Sequence, residues 1–345
     1  MKVGIIGASG YGGVELIRLL HRHPYIESLS LYTSSNDGKM IDDLYPHLQN
    51  YVNDPMKPII VDEMAENLDI VFSSAPSGVS TKVLPPLLEK GIKVIDLAGD
   101  YRLKNGAVYN KWYKKEPAPL KWLEKSVYGL CEWNKEAIKN AQLIANPGCY
   151  PTSVLLALGP LLNDRLIDAS SIIIDAKSGV SGAGQSPSAA THFAMCNENF
   201  SIYKVNQHQH IPEIEQMMAS WMGENSPVTF STHLVPMTRG IMSTIYAQKK
   251  ERVTLTQIYE SFHRHYKDSP FVRIEREGHF PMTKQVYGSN HCDIGIALDM
   301  RTDRLTIVSC IDNLMKGAAG QAVQNFNMLF GFEETAGLEG SPIYP

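Results

Sequence analysis

The run Asn146-Pro147-Gly148-Cys149-Tyr150-Pro151-Thr152 is where the sequence speaks most directly of chemistry. It follows the strand-like Leu143–Ala145 and precedes an apolar run, Val154–Leu162, that reads as a helix. Pro151 suits the first helical position, which places Cys149 just before the helix. A thiol there has its thiolate stabilised by the helix dipole and by first-turn N–H groups, so it becomes a nucleophile. The same N–H groups can hold an oxyanion formed at an attacked carbonyl. Cys131, Cys196, Cys292 and Cys310 lack such placement and read as small buried hydrophobes.

A cysteine nucleophile needs a proton partner. His208-Gln209-His210-Ile211-Pro212-Glu213 stands at a second expected helix start, with proline in the first turn. Either His208 or His210 can relay protons there, and the nearby dipole disfavours imidazolium. A metal site would need three or four ligands, and no Cys or His cluster surrounds this pair, so no metal is expected. His21, His23, His263 and His265 lie in charged helical contexts and read as surface residues. Two further segments can handle a substrate. Ser178-Gly179-Val180-Ser181-Gly182-Ala183-Gly184 follows a strand and lets backbone N–H groups converge on an anion. Thr238-Arg239-Gly240 places an arginine between two strands, where its fork fits carboxylate or phosphate.

A cofactor is announced near the N-terminus. Gly7-Ala8-Ser9-Gly10-Tyr11-Gly12-Gly13 fits G-x-x-G-x-x-G between the strand-like Val3–Ile6 and the apolar-periodic Val14–Leu20. Glycines there admit positive φ and close approach to a pyrophosphate at the helix N-terminus. Dinucleotide binders for NAD place a carboxylate about 20 residues on. Here the second strand, Ile26–Thr33, ends in Thr33-Ser34-Ser35-Asn36, with Lys39 close by. Hydroxyls and a cation accept a 2′-phosphate, so NADP is the expected cofactor.

The elements that must position these groups change character near residue 150. Before it, short β-rich runs (Pro58–Val61, Asp69–Ala75, Lys93–Leu97, Leu143–Ala145) alternate with helical patterns such as Val79–Glu89, as in a doubly wound parallel sheet. Trp112–Trp122 reads as an exposed excursion within that domain. After it, helices at Val154–Leu162 and Pro212–Met222 accompany β runs at Ser171–Ala176, Val228–Pro236, Ile241–Gln248, Asp293–Asp299 and Leu305–Ile311, an α+β pattern with antiparallel pairs. The last stretch, Leu314–Phe330, reads as a helix returning to the first domain. The 345 residues suit two domains, and a net charge of -4 argues against nucleic acid or an anionic membrane as partner. Five cysteines without a C-x-x-C pair, no long apolar stretch, and an opening Met1-Lys2-Val3-Gly4-Ile5-Ile6 without a signal segment point to the cytoplasm.

A nicotinamide fold plus a thiolate gives one reaction logic: an acyl group carried as a thioester and exchanged between acyl phosphate and aldehyde. The sequence resembles the N-acetyl-gamma-glutamyl-phosphate reductase family, relatives of aspartate-semialdehyde dehydrogenase. The resemblance spans nearly the whole chain: Gly7–Gly13, Asp96-Leu97-Ala98-Gly99-Asp100-Tyr101-Arg102, Tyr128-Gly129-Leu130, Ala145–Thr152, Ser178–Gly184, His208–Glu213, His233–Gly240 and Asp312–Gln321. It implies a Rossmann-type domain plus an α+β substrate and dimerisation domain of the glyceraldehyde-3-phosphate dehydrogenase-like kind. The expected boundaries are 1–148 with 313–345, and 149–312.

By resemblance Cys149 is the nucleophile and His208 the general acid/base. Ser178, Gly179, His210, Glu213 and Arg239 belong to the substrate pocket, while Asn313 and Lys316, with Ala75 and Pro76, join the cofactor side. The resemblance further implies NADP, no metal, a homodimer or homotetramer, and NADPH-dependent reduction of N-acetyl-gamma-glutamyl phosphate in arginine biosynthesis. The family often carries Arg where Gln185 and Gln209 stand, and these departures leave the Cys/His pair intact. Aspartyl or aminoadipyl acyl phosphates would use the same chemistry, because pocket shape alone reads side-chain length. A catalytically silent NADP-sensing regulator would bind the dinucleotide without turnover, and a Cys/His hydrolase would leave the glycine loop without a purpose.

Overall fold

The computed structural model describes residues 1–344. The chain forms two compact units, Met1–Pro147 with Ala318–Gly340, and Gly148–Gly317 with the residues from Ser341 on. The crossings therefore fall at 147/148, 317/318 and 340/341. The expected return at 313 comes five residues too early, and Asn313 and Lys316 belong to the second unit.

The first unit is built on six parallel strands, β1 (Lys2–Ile6), β2 (Ser28–Tyr32), β3 (Ile70–Ser73), β4 (Lys93–Asp96), β5 (Val127–Tyr128) and β6 (Leu143–Ala145), in the order β2-β1-β3-β4-β6-β5. Val3, Ile5, Ile70, Val71, Phe72, Val94 and Ile95 are buried, as continuous apolar strands covered on both faces require. The strand order reverses beside β1, with β2 on one side and β3 on the other. Ligands of open α/β sheets bind at the carboxyl ends of strands at such a reversal. Helix Gly320–Phe330 rejoins this unit, preceded by a wide π turn at Met315–Ala319.

Three readings of this unit are corrected. Pro58–Val61 is not a strand: only Lys57 bridges to Tyr32, Pro58 has no N–H for a ladder, and Val61 opens helix Val61–Asn67 with Asp62 and Glu63 at its positive end. The Trp112–Trp122 stretch is not a solvated excursion, since Trp122 and Ala118 join the core. Tyr109 helps to anchor it by donating from its hydroxyl to the buried Asp100 carboxylate at 2.7 Å. His23 is buried, 2.8 Å from Asn327 Oδ1 of the returning helix. Burial also pushes Asp96, beside Asp100, up to about 7, a pairing that the sequence reading left unnoticed.

The second unit carries seven strands: β7 (Ile167–Gly179), β8 (Ser201–Tyr203), β9 (Thr229–Val235), β10 (Ile241–Lys249), β11 (Val272–Ile274), β12 (Cys292–Asp299) and β13 (Arg304–Ile311). Their order is β11-β12-β13-β10-β7-β9-β8, antiparallel except for β7/β9 and β11/β12. Helix Cys149–Asn163 packs on this sheet between helices Ile211–Met222 and Leu255–Tyr266. Thirteen of its fifteen residues are buried, so it is apolar all round. Cys131, Cys292 and Cys310 are buried as expected, whereas Cys196 is half-exposed because it ends a one-turn helix, Phe193–Cys196, whose other residues face water. No helix among the described residues is long and apolar enough to cross a membrane.

Candidate active site

In the first unit the glycine loop sits at the strand-order reversal. Gly7 adopts φ +77°, and a Cβ there would lie 2.7 Å from Ser74 O and 3.0 Å from Ala75 N. The loop thus rests on the chain leaving β3, which brings Ala75 and Pro76 beside it. A Cβ on Gly13 would meet Gly7 O at 2.4 Å and Ala8 Cα at 2.7 Å, and one on Gly12 would meet Ser74 Oγ at 2.5 Å. Gly10 is the N-cap of helix Tyr11–Leu20 and has no side chain to occupy the first-turn N–H groups. Tyr45 donates from its hydroxyl to Ser9 O at 2.9 Å and steadies the loop. These contacts form a cradle of backbone that leaves room for a pyrophosphate, and they fit a dinucleotide.

After β2, Thr33 Oγ1 accepts from the N–H groups of Ser35 and Asn36, both at 3.2 Å. Lys39 Nζ donates to Asn36 Oδ1 at 3.3 Å, and Ser34 and Asp37 are exposed. The turn therefore presents hydroxyls and one ammonium at the place where an NAD site keeps a carboxylate.

The steric part of this cradle has a direct test. Gly13→Ala is expected to cost about 1–3 kcal/mol of stability and to weaken NADPH binding at least tenfold. Gly10→Ala, whose Cβ would have no neighbour nearer than Gly7 O at 3.6 Å, is expected to be much milder. Thermal unfolding and fluorescence titration with NADPH read both effects, and equal losses for the two variants would remove the argument.

In the second unit Cys149 is the first residue of its helix rather than the residue before it. Gly148 is the N-cap, and Pro151 falls in the first turn, where its missing N–H costs no helical bond. Gly148 N–H donates to Glu213 Oε1 at 2.8 Å, and Thr152 N–H and Oγ1 both bond Gly148 O at 2.9 Å. Ser153 Oγ, one turn further, lies within hydrogen-bond distance of Ser243 Oγ of β10 at 3.0 Å and of Ser309 Oγ of β13 at 3.1 Å. Gly317 closes on the thiol from another side: a Cβ there would lie 2.8 Å from Cys149 Cβ. The thiol is half-buried at the positive end of its helix.

His208 and His210 lead helix Ile211–Met222, with His210 as its N-cap. Both rings meet Tyr150, the residue after Cys149, edge-on at 5.5 and 6.0 Å, and lie 4.6 Å from one another. His210 N–H donates to His208 Nδ1 at 3.1 Å. A backbone N–H only donates, so the neutral His208 ring carries its proton on Nε2. The pKa of His208 is pushed down to about 3, by burial first and the Lys204 charge second. The sequence reading credited the helix dipole. Burial is the larger cause. Tyr203 of β8, which sequence reasoning missed, has its hydroxyl 3.2 Å from that of Tyr150 and its ring edge-on to His208 at 5.8 Å.

Of the other candidates, Ser178 and Gly179 end β7, and the Gly179, Val180 and Ser181 N–H groups bond carbonyls of the β9–β10 turn. That turn carries Arg239, whose Nη1 lies 3.6 Å from Oδ2 of the buried Asp312. Asn313 joins them, accepting from Gly240 N–H at 2.8 Å and donating to Ser181 Oγ at 2.9 Å. Lys316 is buried in this unit, with Nζ 5.7 Å from the Phe271 ring centre. Among the described residues, no cluster of three or more His, Cys, Asp or Glu groups could hold a metal ion.

A dinucleotide cradle on one unit and a thiol on the first residue of a buried helix on the other fit a two-domain dehydrogenase of the semialdehyde class. Residues 2–141 match the family model for the semialdehyde dehydrogenase NAD binding domain, and residues 149–313 match that for the semialdehyde dehydrogenase dimerisation domain. The fold is that of aspartate semialdehyde dehydrogenase II from Vibrio cholerae, at TM-score 0.73 and 21% identity over 95% of this chain and 98% of that one. N-acetyl-gamma-glutamyl-phosphate reductases from Geobacillus sp. (strain WCH70) and Halalkalibacterium halodurans are 55% and 54% identical to it over 345 residues, the full length of each chain. The chain belongs to the N-acetyl-gamma-glutamyl-phosphate reductase family.

Proposed function

We propose that this protein reduces N-acetyl-gamma-glutamyl phosphate to N-acetylglutamate semialdehyde with NADPH, with Cys149 as nucleophile and His208 as general acid/base. Family membership supports the substrate, and the thiol at the head of a buried helix is the observation that carries the chemistry. Cys149 Sγ attacks the acyl carbon, the C–O bond to phosphate breaks, and the acyl group remains on sulfur as a thioester. Bound on the glycine cradle, NADPH would supply the hydride equivalent that the reduction of the thioester to the aldehyde level needs. Cys149 then leaves as thiolate and the aldehyde is released. Through both passages the helix N-terminus faces the developing oxyanion, and His208 Nε2–H is the group that can hydrogen-bond it.

Ser178, Gly179, His210 and Arg239 are assigned to the substrate, with Arg239 as the anion clamp. Gly7, Ser9, Gly10, Tyr11, Gly12 and Gly13 would hold the pyrophosphate, and Thr33, Ser34, Ser35 and Lys39 would hold the 2′-phosphate. Ala75 and Pro76 flank the dinucleotide, and Asn313 and Lys316 are assigned to its nicotinamide side. The protein works in the cytoplasm as a homodimer or homotetramer. One face of the seven-stranded sheet supports self-association: Ile173 is 40% exposed on β7, beside Tyr246 of β10 in register.

Steady-state turnover on the acyl phosphate with NADPH and NADH tests the reading, together with the reverse reaction from semialdehyde, phosphate and NADP. NADPH is expected to exceed NADH at least tenfold in kcat/KM. Turnover confined to an aspartyl or aminoadipyl acyl phosphate, or none at all, would overturn it.

A further inference from the structure

The resemblance assigns Glu213 to the substrate pocket, but its contacts give it a different task. Glu213 is wholly buried in the first turn of helix Ile211–Met222, and its Oε1 accepts from the N–H of Gly148 at 2.8 Å. Gly148 caps the helix that Cys149 opens, and glycine has no side chain with which to fix that turn itself. The cap is instead tied from a second helix 65 residues away in sequence. Gly317, packed on Cys149 Cβ, confines the same turn from the other side.

The carboxylate also bears on the charge of the sulfur. The helix dipole favours thiolate at position 149, whereas a buried negative group one residue away opposes it. The other titratable groups around the thiol are Tyr150 and Tyr203, whose ionisation Cys149 opposes, and the imidazoles of His208 and His210 edge-on to Tyr150. Lys204 acts on His208, while Lys316, one residue before Gly317, lies over Phe271. Arg239 is paired with Asp312. Glu213 is the carboxylate that bonds the cap of the cysteine helix.

We infer that Glu213 is a positioning residue that acts through Gly148 to hold the Cys149 turn and moderates the ionisation of the thiol, without contacting substrate. The inference rests on Cys149 being the nucleophile. Glu213→Gln keeps an oxygen acceptor for Gly148 N–H and removes the charge. Alkylation of Cys149 by iodoacetamide as a function of pH, followed site by site by mass spectrometry with half-exposed Cys196 as an internal reference, reads the thiol directly. In the Gln variant the Cys149 titration is expected to move down by on the order of one pH unit, with Cys196 unchanged and KM for the acyl phosphate within twofold of wild type.

Glu213→Asp keeps the charge and shortens the reach. It is expected to lower kcat at least tenfold at unchanged KM, and it supplies the test should the Gln variant not fold. A tenfold rise in KM in either variant, or an unmoved Cys149 titration in Gln, would overturn the inference. Failure of the underlying reading would show separately, as a Cys149→Ala enzyme that still turns over.

Discussion

Cys149→Ala is expected to abolish reduction of the acyl phosphate, with kcat falling by about four orders of magnitude or more while the protein stays folded. The two halves of this expectation come from the same geometry. The substitution removes only Sγ, and the Cβ that Gly317 packs against remains. Alanine is also the best helix former, and the helix that follows is held by its own buried residues and by Ser153 on β10 and β13. Stability measured by denaturant unfolding should therefore change by less than about 1 kcal/mol. Rapid-quench mass spectrometry adds a positive signature: acyl transfer to residue 149 in the wild type with acyl phosphate alone, and none in the variant. Retained turnover in the Ala variant would remove the thioester from the mechanism.

His208→Asn is expected to lower kcat by about 10²–10⁴-fold, because the amide keeps an acceptor for His210 N–H and loses the donor at Nε2. The pH behaviour provides an independent check. With its pKa lowered from 6.5 to about 3 in the folded chain, His208 stays neutral in the native state across the working range. Between those two values the unfolded chain binds a proton that the folded chain does not. Stability therefore falls as pH drops through that window, by up to about 1.4 kcal/mol per pH unit, and is flat above pH 6.5. The Asn variant lacks this contribution, so its loss of stability from pH 7 to pH 5 in urea unfolding should be smaller than that of wild type. The activity profile of the wild type should show no histidine limb between pH 5 and 8. A variant with wild-type kcat, or with the same acid dependence of stability, would contradict the assignment.

Much of the architecture was legible in the residues because the deciding signals are local. The β1 run, the glycines after it and the apolar helix after those fall within twenty residues, and their spacing alone places a dinucleotide loop. The Pro-Gly-Cys-Tyr-Pro run likewise announced a helix start, with an error of one position that only the Gly148 cap resolves. What failed depends on distant partners. Pro58–Ile60 has the composition of a strand but finds no neighbour beyond the single bridge at Lys57. His23 sits among charged residues in sequence, yet the helix of residues 320–330 arrives from three hundred positions away to cover it. Tyr203 lies on a three-residue edge strand with no periodicity to betray it, and the Glu213 bond to Gly148 links two motifs that were each visible but not visibly joined. Which imidazole nitrogen carries the proton could not be read either, because it is set by one backbone N–H two residues on.

The helix behind Cys149 has no water-facing side. A reactive group on a surface loop moves with the loop, over nanoseconds and ångströms. Here the thiol opens a helix of which thirteen of fifteen residues are buried, and burial of that kind restricts local opening. The sulfur thus inherits the thermal amplitude of a hydrophobic core, and the geometry of attack is kept by the same burial that keeps the domain folded. Whatever must flex for substrates to enter and products to leave is assigned by this arrangement to the segments around the cysteine, and not to the cysteine itself.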